Sequence, residues 1–254
     1  MENPWPDLIN SIDKSNLILE NEKEIIRKFN DKNRELGPDN YYNYHIHTEI
    51  LPAPFMGDVY NSPIVLLTLN PGWDEKELEK DFYNLYSNYW ESMMKHEFIL
   101  PNLPLFCLED QYTAISPYWN SKLQHLISRT SKEAVAKNVS VIQFFPYQSK
   151  KYKALYKGLA ADYLDSQKYN FELVRQAIDR NALIIILRSR RIWFEAVKEL
   201  DSYPNVRYTR SVLNPVLSEN NLGNSFFEII ERINKTAYIT SEETRCKRVT
   251  LTKV

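Results

Sequence analysis

Four short polar clusters in this chain have residue types that can do chemistry, and each follows an apolar run. Asn70-Pro71-Gly72 follows Ile64 to Leu69. Gln143 lies within a run from Val139 to Phe145, and Lys150, Lys151 and Lys153 follow that run. Arg188-Ser189-Arg190-Arg191 follows Ala182 to Leu187, and Asn214-Pro215-Val216-Leu217-Ser218 follows Val206 to Leu213. An amide side chain offers one acceptor and two donors, so Asn70, Gln143 and Asn214 suit holding a water or reading a polar edge. Lys and Arg suit phosphate.

Groups for metal chemistry are sparse. Cys107 and Cys246 are the only cysteines and lie far apart. That excludes a disulfide framework, a cysteine-based zinc site and a cysteine-held iron–sulfur cluster. His45 and His47 alternate on an extended segment before Pro52. With no third ligand evident beside them, they read as structural. Neither a metal nor a cofactor is expected.

The chain has only five glycines in 254 residues: Gly37, Gly57, Gly72, Gly158 and Gly223. Their spacing admits neither GxGxxG nor GxxxxGK, so the common dinucleotide and P-loop sites are excluded. Any phosphate must be met mostly by side chains.

The net charge of −1 hides an asymmetry. Residues 1–119 carry 9 Lys+Arg against 20 Asp+Glu, and residues 120–254 carry 23 against 13. Such a swing fits either two halves that neutralise each other or a basic face built by the second half. The latter is the footprint of a nucleic-acid partner.

The elements that must position these clusters follow from patterning. Continuous apolar runs at 64–69, 139–145 and 182–187, with a weaker one at 206–213, read as strands buried on both faces. Helical patterns fall at 17–35, 75–89, 117–128, 150–180 (in two pieces), 191–200 and 221–235. Residues 1–15 read as irregular and 40–62 as loop, blocked by Pro52 and Pro54. Strands alternating with helices predict an α/β fold with a four-stranded, mostly parallel central sheet and helices on both faces. The strand ends then share one edge, where open α/β sheets bind ligands. No apolar run reaches spanning length, and the N-terminus lacks a basic segment followed by an apolar one. A cytoplasmic, membrane-free monomer is expected.

Leu66-Leu67-Thr68-Leu69-Asn70-Pro71-Gly72 resembles the first motif of the uracil-DNA glycosylase superfamily. It is most similar to the mismatch-specific thymine/uracil branch, whose motif reads Gly-Ile-Asn-Pro-Gly. Asn214-Pro215-Val216-Leu217-Ser218 resembles the late motif of the same superfamily, and the order along the chain agrees. The resemblance spans roughly residues 50–235. It implies a three-layer α/β/α sandwich at 51–236, an N-terminal extension at 1–50 and a polar, basic tail at 237–254. It also implies hydrolysis of the N-glycosidic bond of a base flipped out of DNA.

By this resemblance Asn70 and Asn214 are the catalytic candidates, Asn70 by orienting water. Gly72 allows close approach of the backbone, Gln143 reads the base edge, and Trp73, Phe82 and Tyr83 are candidates to stack on the base. Leu217 is the apolar wedge. Ser218, Lys150, Lys151, Arg188, Arg190 and Arg191 contact phosphates.

The sequence also departs from the family pattern. Val216 stands where the late motif has serine, the loop before Leu217-Ser218 is one residue shorter, and no histidine follows His125. These departures weaken any expectation of uracil specificity. They leave room for modified bases, as in the DNA glycosylases of bacterial antiviral defence. A DNA- or protein-binding module without chemistry and a nucleoside or nucleotide hydrolase remain as alternatives.

Overall fold

The computed structural model describes residues 1–10, 16–73, 75, 80–97, 103–113 and 116–235, without the side chains of 80–85. The chain begins with three helices: α1 (Trp5–Ile9), α2 (Lys23–Glu35) and α3 (Pro38–Tyr44). Gly37, at φ +105°, and Pro38 at the first helical position start α3. Strands β1 (Phe55–Met56) and β2 (Ile64–Thr68) follow, then α4 (Lys80–Met94), α5 (Asp110–Thr113), α6 (Tyr118–Arg129) and α7 (Lys132–Asn138). The Ser131 hydroxyl caps α7 by accepting from the Ala134 N–H at 3.0 Å. Strand β3 (Val139–Gln143), α8 (Asp165–Asp179), β4 (Leu183–Ile186), α9 (Arg190–Ala196), β5 (Val206–Tyr208), α10 (Glu219–Leu222) and a last helix, α11 (224–235), complete the order.

The protein is α/β, with a mixed five-stranded sheet of order β1-β3-β2-β4-β5. β3, β2, β4 and β5 run parallel, and β1 joins antiparallel to β3, pairing Phe55 with Ile142 and Met56 with Val141. β1 is the departure from the four strands expected. It lies in the segment read as loop, where the prolines at 52 and 54 leave room for only two paired residues on an edge. Gly57, just after it, runs at φ +81°, and a Cβ there would sit 2.8 Å from the Val139 carbonyl oxygen. Only glycine fits that approach.

All residues of β3 and β4, and Ile64 to Leu67 of β2, are buried. Successive side chains point to opposite faces, so both faces of the sheet are covered. Residues 150–164, expected to be helical, are irregular up to α8. β5 stops at Tyr208, short of Leu213.

Residues 1–50 are not an appendage. Trp5, Leu17, Ile18, Ile26 and Phe29 belong to the same buried cluster as the strands. Glu22, 1% exposed, accepts hydrogen bonds from the Ser166 backbone N–H, the Ser166 hydroxyl and the Tyr147 hydroxyl. Burial raises its pKa against the lowering pull of those bonds.

Candidate active site

Strand order dictates where a ligand fits. From β2 the chain crosses to β3 on one side, and from β4 it crosses to β5 on the other. The carboxyl ends of β2 and β4 therefore flank a switch point, the usual ligand crevice of an open α/β sheet. A cavity of about 470 Å³ opens there, within the usual range for small-molecule sites. It is lined by the turn after β2 (Asn70 to Trp73), by Gln143, Gln148, Lys150, Lys151 and Tyr152 after β3, and by Arg188 after β4. Trp90, Tyr112, Tyr118 and Trp119 supply aromatic wall. β3 and β4 lie on either side of β2, so their basic segments approach the Asn70 turn from opposite flanks.

Asn70 is tightly held. Its Nδ2 donates to the Ser149 carbonyl at 3.0 Å, the Ser149 hydroxyl at 3.0 Å and the Pro71 carbonyl at 2.9 Å. Carbonyl oxygens accept only, so the amide orientation is fixed and Oδ1 is left as an acceptor. Gln148, 1% exposed, is oriented the same way: its Nε2 donates to the Leu51 carbonyl at 2.9 Å. Its Oε1 is buried with no hydrogen-bond partner. Gln143, 3% exposed, also has a buried, unpartnered Oε1. Buried acceptors without partners are costly, and here three amides line one cavity.

The electrostatics point the same way. Lys150, Lys151 and Arg188 line the cavity, and among the described residues no carboxylate does. Arg188 follows β4 immediately and donates from Nη2 to the Leu213 carbonyl at 3.2 Å, while its Nε is buried without a partner. Ser189 next to it sits at φ +54°, ψ +51°, a left-handed conformation uncommon for a residue other than glycine. Strain of this kind concentrates at functional turns. Burial pushes the Tyr152 hydroxyl up to about 12, so it stays a neutral donor.

The segment before β1 is bonded to the loop after β3. The His47 N–H donates to the Gln148 carbonyl at 3.0 Å, the Ala53 N–H to Pro146 at 3.0 Å and the Lys151 N–H to Asn43 at 2.8 Å. Within this segment His45, His47 and Glu49 each bring a ligand atom within 4.8 Å of the others. Glu49 is thus the third group that reading the His pair alone missed.

The remaining sequence candidates fall elsewhere. Asn214 is exposed, outside the cavity lining, with Oδ1 accepting from Lys122 Nζ at 2.7 Å. Burial, reinforced by the charge of Arg188, lowers the pKa of Lys122. Leu217 is 0% exposed in the core, its N–H bonded to the Lys122 carbonyl, so it cannot wedge into DNA. The apolar tip of that loop is Leu213, 89% exposed. Ser218 precedes α10 as its cap residue.

Arg190 and Arg191 line a different, shallow groove with Phe194, Lys198 and Asp201. Arg190 stacks over Tyr208 at 4.1 Å, and Arg191 pairs with Glu195 at 3.7 Å. Gly72 is exposed with open space around it, so no close approach within the protein requires glycine there. Phe82 lies on α4, but its side chain, like that of Tyr83, is outside the described residues.

Gln148 was the clearest omission. Its signal was its place in Tyr147-Gln148-Ser149-Lys150, just beyond the buried strand. Among the described residues no helix is long and apolar enough to cross a membrane. The chain matches no family model, no curated protein and no solved structure.

Proposed function

We propose that the protein hydrolyses the N-glycosidic bond of a nucleotide flipped out of DNA, releasing the base and leaving an abasic site. The observation that carries this reading is the cavity itself: amide side chains, aromatic walls and three cations, with no carboxylate among the described lining residues, at the switch point of the sheet. In this reading the five-stranded sheet is the central layer of a three-layer α/β/α sandwich.

The chemistry is dissociative. The bond between the sugar's anomeric carbon and the base nitrogen breaks, and its electron pair leaves with the base. Water adds to the sugar, and its proton ends on the departing base or in solvent. Asn70 Oδ1, fixed by Ser149, accepts from that water and aims it. Lys150, Lys151 and Arg188 favour the anionic leaving base and the flanking phosphates. Preorganised groups of this kind need no reorganisation at the transition state. The oriented acceptor of Gln148 favours a base that presents a donor, such as an exocyclic amine, over a carbonyl at that position. Arg190, Arg191 and the exposed Leu213 then meet the DNA outside the cavity, with Leu213 in the wedge role that Leu217 cannot fill.

The test is incubation with duplex and single-stranded DNA carrying uracil, mismatched thymine, or modified cytosines and adenines, followed by alkaline cleavage at abasic sites. Base release that is lost in Asn70→Ala supports the proposal; no release from any substrate overturns it. A second reading, hydrolysis of a free nucleotide, is favoured by one observation: the three cations line the cavity, whereas Arg190 and Arg191 line a separate groove. Turnover of nucleoside monophosphates that is unchanged in Arg190→Ala/Arg191→Ala would select it.

A further inference from the structure

We propose that His45, His47 and Glu49 form a binding site for one divalent transition-metal ion of the zinc class, on the extended segment between α3 and β1. The three residues occupy positions i, i+2 and i+4. His45 is extended (φ −58°, ψ 128°), and alternate residues of an extended chain face the same side. One ligand atom from each lies within 4.8 Å of the others. Two imidazoles and one carboxylate are a donor set that suits zinc and leaves a fourth position open.

Two further observations support a site rather than a chance cluster. The backbone that carries the ligands is pinned residue by residue. Ile46 exchanges hydrogen bonds with the Asn30 side chain at 2.8 and 2.9 Å, the His47 N–H donates to Gln148, and the Thr48 carbonyl accepts from the Leu17 N–H. Second, His45 Nδ1 is buried with no hydrogen-bond partner. A buried ring nitrogen without a partner calls for one, and a metal ion would supply it.

His47 Nδ1 and Glu49 Oε1 are hydrogen-bonded to each other at 2.8 Å. Tetrahedral zinc would bring ligand atoms to about 3.3 Å apart, given bonds of about 2.0–2.2 Å. Side-chain rotation supplies the difference, because the Glu49 side chain is 43% exposed. Arg34 opposes the site by its charge on His45, but it is paired with Asp31 at 3.4 Å.

The site stands independently of the proposed reaction. The experiment uses untagged full-length protein stripped with chelator. Zinc is titrated by calorimetry, and cobalt by visible absorption together with tryptophan fluorescence, since Trp73 stacks on His47. The expected result is one ion per chain at micromolar zinc. His45→Ala, His47→Ala and Glu49→Gln should each weaken binding at least tenfold. His125→Ala, an exposed histidine on α6, should leave it unchanged. Glu49→Gln guards against loss of fold, because it changes one exposed oxygen. Wild-type protein that takes up no zinc at micromolar concentration overturns the proposal. So does a folded Glu49→Gln or His47→Ala variant that binds like wild type.

Discussion

The indole of Trp73 lies flat on the imidazole of His47, ring centroids 3.7 Å apart and planes 6° from parallel. The contact joins the turn after the central strand to the extended segment between α3 and β1. It ties residues 1–50, which share the domain's buried core, to a residue that lines the cavity. Replacing Trp73 by Ala should raise the KM for the cavity's substrate about tenfold, in line with the loss of one aromatic contact of ~1 kcal/mol or slightly more. Trp73→Phe should recover most of it. Equal kinetics for both variants would show that the stack serves only folding.

Asn70 and Ser149 should act as a pair. Asn70→Ala should reduce base release at least a hundredfold, at a folding cost of about 1 kcal/mol. Ser149→Ala removes one of two Ser149 acceptors and leaves the carbonyl, so its loss should be milder, about tenfold, and non-additive with Asn70→Ala. Single-turnover rates and a double-mutant cycle measure this. Additive losses would separate the two residues.

The strands that hold Asn70, Gln143 and Arg188 were legible because a central parallel strand must be apolar on both faces, and 64–67 and 183–186 are. The turns that end them were legible as polar breaks in those runs. What the sequence hid was side-chain direction. Leu217 and Leu213 lie four residues apart in one loop, yet one is 0% exposed and the other 89%. Neither composition nor periodicity distinguishes them, because the loop has no regular period. Asn214 looked equivalent to Asn70, each beginning an Asn-Pro pair. Only the tertiary partner, Lys122 in one case and Ser149 in the other, separates them. β1 was hidden for a related reason: two residues between Pro54 and Gly57 carry no alternation, and the pairing is set by the strand beside it.

Gln148 should set which base is accepted. Its amide is oriented by the Leu51 carbonyl, which leaves Oε1 as a buried acceptor without a partner beside the cavity. Wild type should favour bases with an exocyclic amine. Gln148→Leu should abolish that preference, a change of about tenfold or more in the kcat/KM ratio, because a hydrogen-bonding site discriminates by the cost of leaving a buried group unpaired. Arg190→Ala should leave the ratio intact. A preference that survives Gln148→Leu would assign discrimination to another group.

Gly57→Ala should cost more than any surface change. The new Cβ meets the Val139 carbonyl oxygen at 2.8 Å, and the backbone is already at φ +81°. Both penalties fall on the junction of β1 and β3, for a total of about 2–4 kcal/mol. Urea unfolding should show a lower midpoint with an unchanged slope. Gly72→Ala, with open space around it, should change stability little. Equal stability of the two variants would contradict the close approach at Gly57.

Acid should destabilise the fold partly through His96. Burial pulls its pKa from 6.5 down to about 4. The ring stacks on Phe55 at 4.8 Å, and its Nε2 is 2.8 Å from the Tyr169 hydroxyl. Between pH 6.5 and 4 the unfolded chain binds a proton at this histidine that the folded chain refuses, so stability falls as pH drops through that window. His45, also drawn down to about 4 by burial, adds a second loss of the same sign. Glu22, with its raised pKa, works the other way, favouring the folded state as pH falls toward the ordinary carboxylate range. The clean measurement is therefore a difference. His96→Asn tolerates the left-handed backbone at this position (φ +58°) and does not titrate. Compared with wild type in metal-free buffer, it should lose about 1–2 kcal/mol less stability between pH 7 and 4, a figure reduced for the ring's partial exposure. Parallel stability curves for the two proteins would mean that His96 charges in the folded state as readily as in the unfolded one.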